Sequence, residues 1–456
     1  MAKDKKEEKV KTKKKHRVLK SLLITLLIIT TLFGGGAIVL VSFVNTLDPM
    51  VQSQVWPTLR YVPGALITYP FKAKTNASVT AALAKTDGFI KGICHPSDDY
   101  GLIKGAGIEW DRADIPYPFD IDGNVRQSYT DWKVRMQAFV DNGISIFAVT
   151  PYPEDFLDYG IDPRLVENEV KIKAVAEFLI KDLSGIISGL QITNELGVDR
   201  FMYPLTTSAQ AVRFMGIQLE AIAPFKGDVI VGYNSAGPQA DHHSAMKAYH
   251  KYCDYIGVDI YAGCFDGGLS IMNSIAIFDL IPAFLWSLTG LPVIMCEFGY
   301  ISGGMPKTDE ERLDVLREYG YNSEAEARAD IDEFVKKLPS NFQNNIKKSG
   351  GSDPAGYIFS DMMSGHLYRE LPANIVLKDY PHTPQGQADF YSYMIPRLAS
   401  NPYVIGEFVY CWSDSERCYI CGFDDCPIET RWGLVDKNQV PKPAYEAVRA
   451  AFAKIP

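Results

Sequence analysis

Eight short apolar runs, separated by stretches of helical periodicity, constrain this chain more than any other feature of its sequence. They lie at 88–94, 108–113, 144–149, through Ile186, Ile187, Leu190 and Ile192, then at 228–233, 255–260, 291–297 and 404–412. Most are continuous rather than alternating, as in parallel strands buried on both faces. Between them Trp132, Met136, Phe139 and Val140 recur at helical spacing before Asn142-Gly143. Further helical patterns cover about 165–182, 207–223, 241–252, 271–288 and 443–454. The apolar stretch 271–296 is broken by Asp279, Pro282 and Gly290-Leu-Pro292, so it reads as helix plus strand rather than a membrane span. Eight strands with intervening helices predict an α/β fold, a (β/α)8 TIM barrel over 87–456, rather than an open sheet.

One stretch does not fit that rhythm. Residues 300–383 are too long for an ordinary connection and contain charged helical segments at 308–319 and 323–337, then a polar tract through Ser349 to Pro354. They read as an insertion after strand seven, on the face where barrel sites lie, forming a lid, a side wall or a solvated subdomain.

The amino terminus is of a different character. Residues 1–20 hold ten Lys and Arg against three Asp and Glu, leaving 36 basic and 52 acidic residues for the remainder. From Ser21 to Thr46 there is no charge, and Leu, Ile, Val and Phe dominate. This predicts a basic cytoplasmic tail (1–20), a transmembrane anchor (21–46), a stalk or lead-in (47–86) and a barrel held outside the cell membrane. The apolar run is long for a signal peptide, and no Ala-x-Ala-like site ends it. An acidic body argues against a nucleic acid partner.

The chemistry gathers at the ends of two runs. Asn194-Glu195 follows the fourth, and Glu297 ends the seventh within Cys296-Glu-Phe-Gly299. A lone Glu after an apolar run is ordinarily a surface or capping residue. Two of them, at the carboxyl ends of separate barrel strands, suit a general acid and a nucleophile for glycosidic bond cleavage. Glu407, in Gly406-Glu-Phe-Val409, is a rival that should lie inside strand eight. No phosphate-binding glycine loop, dinucleotide fingerprint or nucleophilic serine motif stands out.

With Tyr261 after strand six, Arg112 near the end of strand two and the tail Arg431-Trp-Gly-Leu-Val-Asp436 with Pro441-Lys-Pro-Ala-Tyr445, the chain resembles the clan-A retaining glycoside hydrolases over about 87–456. The resemblance implies Glu195 as general acid/base and Glu297 as nucleophile. It also implies Asn194 on the sugar 2-hydroxyl, Tyr261 hydrogen-bonded to the nucleophile, Arg112 supporting Glu297, and Trp412 or Tyr410 flooring the sugar subsite. Asn234 beyond strand five and His95 after strand one are further substrate-binding candidates, and His242, His243 and Asp98-Asp99 are weaker ones. A non-catalytic carbohydrate-binding barrel and a transglycosylase remain alternatives.

Eight cysteines are present. Cys94, Cys253, Cys264 and Cys296 sit in or near strands and read as buried free thiols. Cys411, Cys418, Cys421 and Cys426 cluster after strand eight. Cys418-x-x-Cys421 with Cys426 could hold zinc, but a fourth ligand is not evident, and a disulfide bracing the loop is the simpler expectation. No metal or other cofactor is expected in catalysis.

Overall fold

In the computed structural model, which describes residues 49–72, 77–197, 199–264, 274–349, 353–371 and 375–456, the eight apolar runs are the strands of one closed parallel barrel. The strands are β1 (Ile90–Cys94), β2 (Trp110–Asp114), β3 (Ser145–Val149), β4 (Ile187–Gln191), β5 (Ile230–Ala236), β6 (Tyr255–Ile260), β7 (Val293–Phe298) and β8 (Val404–Val409). Each pairs with the next, and β8 closes on β1. The (β/α)8 expectation therefore holds. Most strand limits fall within two residues of the sequence reading, and two ends differ by three. β5 runs on to Ala236 and takes Asn234 into the sheet, while β8 stops at Val409.

The barrel is filled by aromatic rings set against glycines. A side chain at Gly92 would meet the Phe408 ring at 2.1 Å, and one at Gly189 would meet Phe147 at 2.3 Å. Phe147 in turn packs on Phe408 and Tyr255, with ring centroids 4.8 and 5.5 Å apart. Large residues on some strands thus occupy the space that small ones on others leave, the interdigitation that closes a barrel interior.

The helices follow from the same patterning. α1 is Pro49–Lys72, α2 is Ala77–Lys85, α3 is Tyr100–Gly105 and α4 is Gln127–Asp141. α4 buries Tyr129, Trp132, Met136 and Phe139 along one face, and Gly143 takes the left-handed backbone just beyond it, at φ 75°. α5 (Glu169–Asp182), α6 (Ser208–Ile222) and α7 (Ile277–Thr289) continue the outer ring. Thr207 caps α6 by accepting from the Gln210 amide. The stretch 241–252 is a short helix, Ala240–Ala245, followed by a 3-10 segment, Met246–Tyr252.

The lead-in expected before the barrel is helical. α2 buries Val79 and Ala82 and ties to the amino ends of the strands: Ser78 donates to the Gly290 carbonyl, and Lys85 pairs with Asp254 at 2.8 Å. The segment 21–46 lies outside the described residues. Among those described, no helix is long and apolar enough to cross a membrane.

The 300–383 insertion folds as a set of short helices, among them α8 (Asp309–Glu318) and α9 (Asp361–Tyr368). Thr308 and Glu311 form a capping box at the start of α8. Phe334, fully buried, gathers the rings of Tyr319, Tyr321 and Phe359 into a small core. The helix Ser340–Ser349 lies against Asp199–Met202, just after β4, and Lys348 pairs with Glu154, just after β3, at 2.6 Å. The insertion therefore walls the carboxyl face of the barrel. α10 (Pro384–Ala399) and α11 (Pro443–Phe452) then complete the ring.

Two buried carboxyls on the sheet face away from the barrel interior. Glu407 precedes the inward Phe408 and Asp111 precedes Arg112. Both are fully buried with neither oxygen hydrogen-bonded. Burial pushes Glu407 well above the usual carboxylate range and pushes Asp111 up to about 8. Glu407 thus belongs to the packing behind the sheet, not to a site. For Asp111 the linkage sign is destabilising as pH rises. Between its ordinary value near 3.8 and about 8, the unfolded chain has lost a proton that the folded chain keeps, so stability falls across that window. Asp111→Asn lacks this titration. Chemical unfolding at pH 5 and pH 8 should show the native sequence losing a few kcal/mol more than the variant, and equal losses would refute the assignment.

Candidate active site

At the carboxyl ends of the strands, a continuous hydrogen-bonded set links six of the eight. Its centre is Arg112 near the end of β2, which is buried and so must spend its donors on protein groups. Nη1 lies 2.6 Å from Glu297 Oε1 at the end of β7, Nη2 donates to Asn194 Oδ1 at 2.8 Å, and Nε donates to Gln191 Oε1 at 3.2 Å. Nη1 also reaches the Cys94 sulfur on β1 at 3.9 Å. The second oxygen of Glu297 accepts from the Tyr261 hydroxyl, just past β6. Both oxygens of Glu297 therefore serve as acceptors, from a cation and a phenol.

β4 delivers Asn194 and Glu195 together, which a regular strand would not do, since its neighbours alternate faces. The chain leaves the strand through residues in the left-handed region, Thr193 at φ 53° and Glu195 at φ 47°. A β-branched residue there costs roughly 1–3 kcal/mol. The turn is held by its neighbours. The Thr193 amide donates to Thr150 Oγ1 at 2.9 Å, and Gln191 Nε2 donates to the Thr193 carbonyl at 2.6 Å. Strain of this kind, fixed by surrounding bonds, is characteristic of functional sites.

Asn234 on β5 and Asp259 on β6 complete the set. Asn234 Nδ2 is 2.6 Å from both Asn194 Oδ1 and Asp259 Oδ2, and its Oδ1 accepts from the Glu195 amide at 2.9 Å. Asn194 Oδ1 accepts from Gln191 Nε2 as well, at 3.1 Å. That oxygen is saturated by three donors, so the Asn194 amide nitrogen is the group left for a ligand. Burial first, then the charges of Glu297 and Glu195, push Asp259 well above the usual carboxylate range. The Asp259 and Glu195 carboxyls are thus close enough for the charge of one to oppose ionisation of the other. Burial and then the Glu297 charge push the Tyr261 phenol up, keeping it a donor.

Of the residues singled out in the sequence, Glu195, Glu297, Asn194, Asn234, Tyr261 and Arg112 come together here. His95 stands exposed at the end of β1, with its ring edge-on to Tyr410 at 6.0 Å. Trp412 does not face the site. It is fully buried, donates from its indole nitrogen to Gln439 Oε1 at 2.7 Å, and packs edge-on against Tyr445 of α11. The inside-outside alternation that would carry it inward ends with β8 at Val409. Tyr410 lies at the mouth instead, 5.7 Å from the Tyr261 ring and 5.6 Å from Trp432.

The weaker candidates have structural roles. His242 and His243 are buried behind β5, where the Tyr233 hydroxyl joins His243 and His250 at 3.0 and 3.1 Å. Asp98 pairs with Arg135, and Asp99 caps α3. Two members of the set were missed in the sequence, Gln191 and Asp259. An acid inside the apolar run Tyr-Ile-Gly-Val-Asp-Ile was the available signal for Asp259. The disulfide expected after β8 is not formed, and all eight cysteines are free thiols. Cys94, Cys253, Cys264 and Cys296 are buried, as read from the sequence. Cys418, Cys421 and Cys426 converge with His366 from the insertion, their ligand atoms all within 4.8 Å of one another.

No family model matches the sequence, and no curated protein matches it. Solved structures share its architecture. The GH53 catalytic domain of Ignisphaera aggregans aligns over 80% of this chain and 96% of its own, with a TM-score of 0.50 at 14% identity. A family 39 glycoside hydrolase from Bacteroides cellulosilyticus aligns over 81% of this chain and 64% of its own, with a TM-score of 0.48 at 13% identity. A GH2 β-galacturonidase from Eisenbergiella tayi aligns over 81% of this chain with a TM-score of 0.47 at 13% identity, and the chain spans only 51% of that protein. At such identities the likeness is one of fold alone, and it rests on the GH53 catalytic domain.

Proposed function

We propose that this chain is a retaining glycoside hydrolase that cleaves β-glycosidic bonds of an oligo- or polysaccharide by double displacement. The observation that carries the reading is the contrast between the two glutamates. Glu297 has both oxygens accepting, from the Arg112 cation and the Tyr261 phenol, while Glu195 neighbours a second buried carboxyl, Asp259, so that the charge of one opposes ionisation of the other. Two like groups with opposed surroundings are what an acid and a nucleophile need.

In the first step Glu297 attacks the anomeric carbon as the bond to the leaving oxygen breaks, and Glu195 gives that oxygen a proton. Sugar and Glu297 are then joined as an ester. In the second step Glu195 takes a proton from water, whose oxygen attacks the anomeric carbon and frees Glu297. Arg112 and Tyr261 hold Glu297 in line, the Asn194 amide donates to the sugar 2-hydroxyl, and Asp259 with Asn234 positions Glu195. His95 and Tyr410 line the subsite beside the bond.

We also propose that the charge-free segment 21–46, behind its ten basic residues, anchors the protein in the cell membrane with the barrel outside. Alkaline extraction of membranes should leave the full chain in the pellet and release one beginning at residue 47. Release of both would remove the anchor.

Glu297→Gln should lower kcat/KM on aryl β-glycosides by at least about a thousandfold. Glu195→Gln should cost roughly 10²–10⁴-fold on poor leaving groups and far less on dinitrophenyl glycosides, whose leaving oxygen needs no proton. NMR of the first product should show the substrate's anomeric configuration. Turnover indifferent to both substitutions, or an inverted product, would overturn the assignment.

Two aromatics separate subsite from core. Tyr410→Ala should raise KM several-fold. Trp412→Phe should leave KM unchanged and lower stability by roughly 1–3 kcal/mol, through the lost indole hydrogen bond and packing. The opposite pattern would restore Trp412 as the subsite floor.

A further inference from the structure

The loop after β8 and the insertion after β7 meet at a second chemical cluster. His366 lies on α9, while Cys418, Cys421 and Cys426 lie on the loop, and all four are at most 2% exposed. Their ligand atoms, one imidazole nitrogen and three sulfurs, all lie within 4.8 Å of one another. His366 Nδ1 is 3.6 Å from Cys418 Sγ and 3.5 Å from Cys426 Sγ. A tetrahedral zinc with Zn–S of about 2.3 Å and Zn–N of about 2.0–2.1 Å sets sulfur and nitrogen about 3.5 Å apart. The observed separations match that tetrahedron.

The backbone is formed for the same purpose. Cys418-x-x-Cys421 makes a tight knuckle in which the Cys421 amide donates to Cys418 Sγ at 3.4 Å. The Gly422 amide returns to the Cys418 carbonyl, and the Cys418 amide to that of Phe423, both at 2.8 Å. Gly422 supplies the left-handed turn, at φ 80°. An amide aimed at a sulfur favours thiolate. A disulfide accounts for the cluster poorly, because pairing two of three thiols strands the third, and a histidine, in a dry interior.

We propose that His366, Cys418, Cys421 and Cys426 bind one zinc ion in a closed, four-ligand structural site. The site clamps the insertion to the β8 loop. Cys426 leads directly into the helix Pro427–Thr430 and then to Trp432, whose ring is 5.0 Å from that of Tyr261. Ser302, at the start of the insertion, donates its amide and its hydroxyl to the Arg431 carbonyl at 2.9 Å. Zinc therefore acts on the reaction only by fixing the aromatic wall beside Glu297. The proposal does not depend on the glycosidase reading.

The test uses the full chain, expressed with zinc and dialysed against metal-free buffer. Elemental analysis should find one zinc per chain, retained in Cys253→Ser and reduced at least tenfold in Cys426→Ser and in His366→Ala. Should those variants fail to fold, the native sequence decides. Exchange for cobalt should give the intense charge-transfer and ligand-field bands of a tetrahedral cobalt thiolate, and thiol titration after denaturation with chelator should count all eight cysteines without reductant. Substoichiometric zinc with no cobalt–thiolate band, or two thiols recovered only after reduction, would overturn the proposal.

Discussion

Everything at the carboxyl mouth of the barrel depends on how one buried guanidinium is satisfied. Arg112 would be costly in this position without partners, and removing one partner of such a pair typically costs 3–5 kcal/mol. Its partners come from β1, β4, β7 and the turn after β4, so its needs fix the relative placement of elements far apart in sequence. Asn194 receives Arg112 on one side and Asn234 on the other. Asn234 passes the constraint on to Asp259 and to the Glu195 amide. A single charge thus organises both glutamates, one directly and one through two amides.

The barrel was legible because parallel strands covered on both faces must be nearly continuous runs of apolar residues, and eight such runs fit few other architectures. The glutamates were legible for a related reason: a carboxylate that ends an apolar run conflicts with burial unless something nearby accommodates it. What the sequence hid depends on departures from regular geometry. Nothing in Thr193-Asn-Glu195 announces two left-handed residues, yet they bring neighbouring side chains to one face. The choice between Tyr410 and Trp412 turned on where β8 stops, and strand ends are set by tertiary pairing rather than by local composition. Asp259 was visible as an acid in an apolar strand but gains meaning only from Glu195 and Glu297 beside it. His366 is 52 residues from Cys418, a spacing that no knuckle pattern encodes.

The insertion gives the barrel a shape of its own. It has a small core around Phe334 and reaches from β7 across to the segments after β3 and β4. Buried polar ties hold its base: Glu370, 1% exposed, accepts from the Lys307 amide and from Arg312. A wall so held confines whatever lies beside Glu195 on that side. Substrate choice in a barrel of this kind lies in such loops rather than in the strands, which the wider fold shares.

The central claim is that Glu297 is the nucleophile whose carboxylate oxygen bonds the anomeric carbon in a covalent sugar intermediate. Its most direct measurement is mass spectrometry of the protein after reaction with dinitrophenyl 2-deoxy-2-fluoro-β-glycosides of several sugars, which slow release of the second step. The account predicts a single added sugar, mapped by peptide sequencing to Glu297. A label on Glu195, Asp259 or Glu407 would contradict it, as would turnover of the parent glycosides by a protein that never acquires the label.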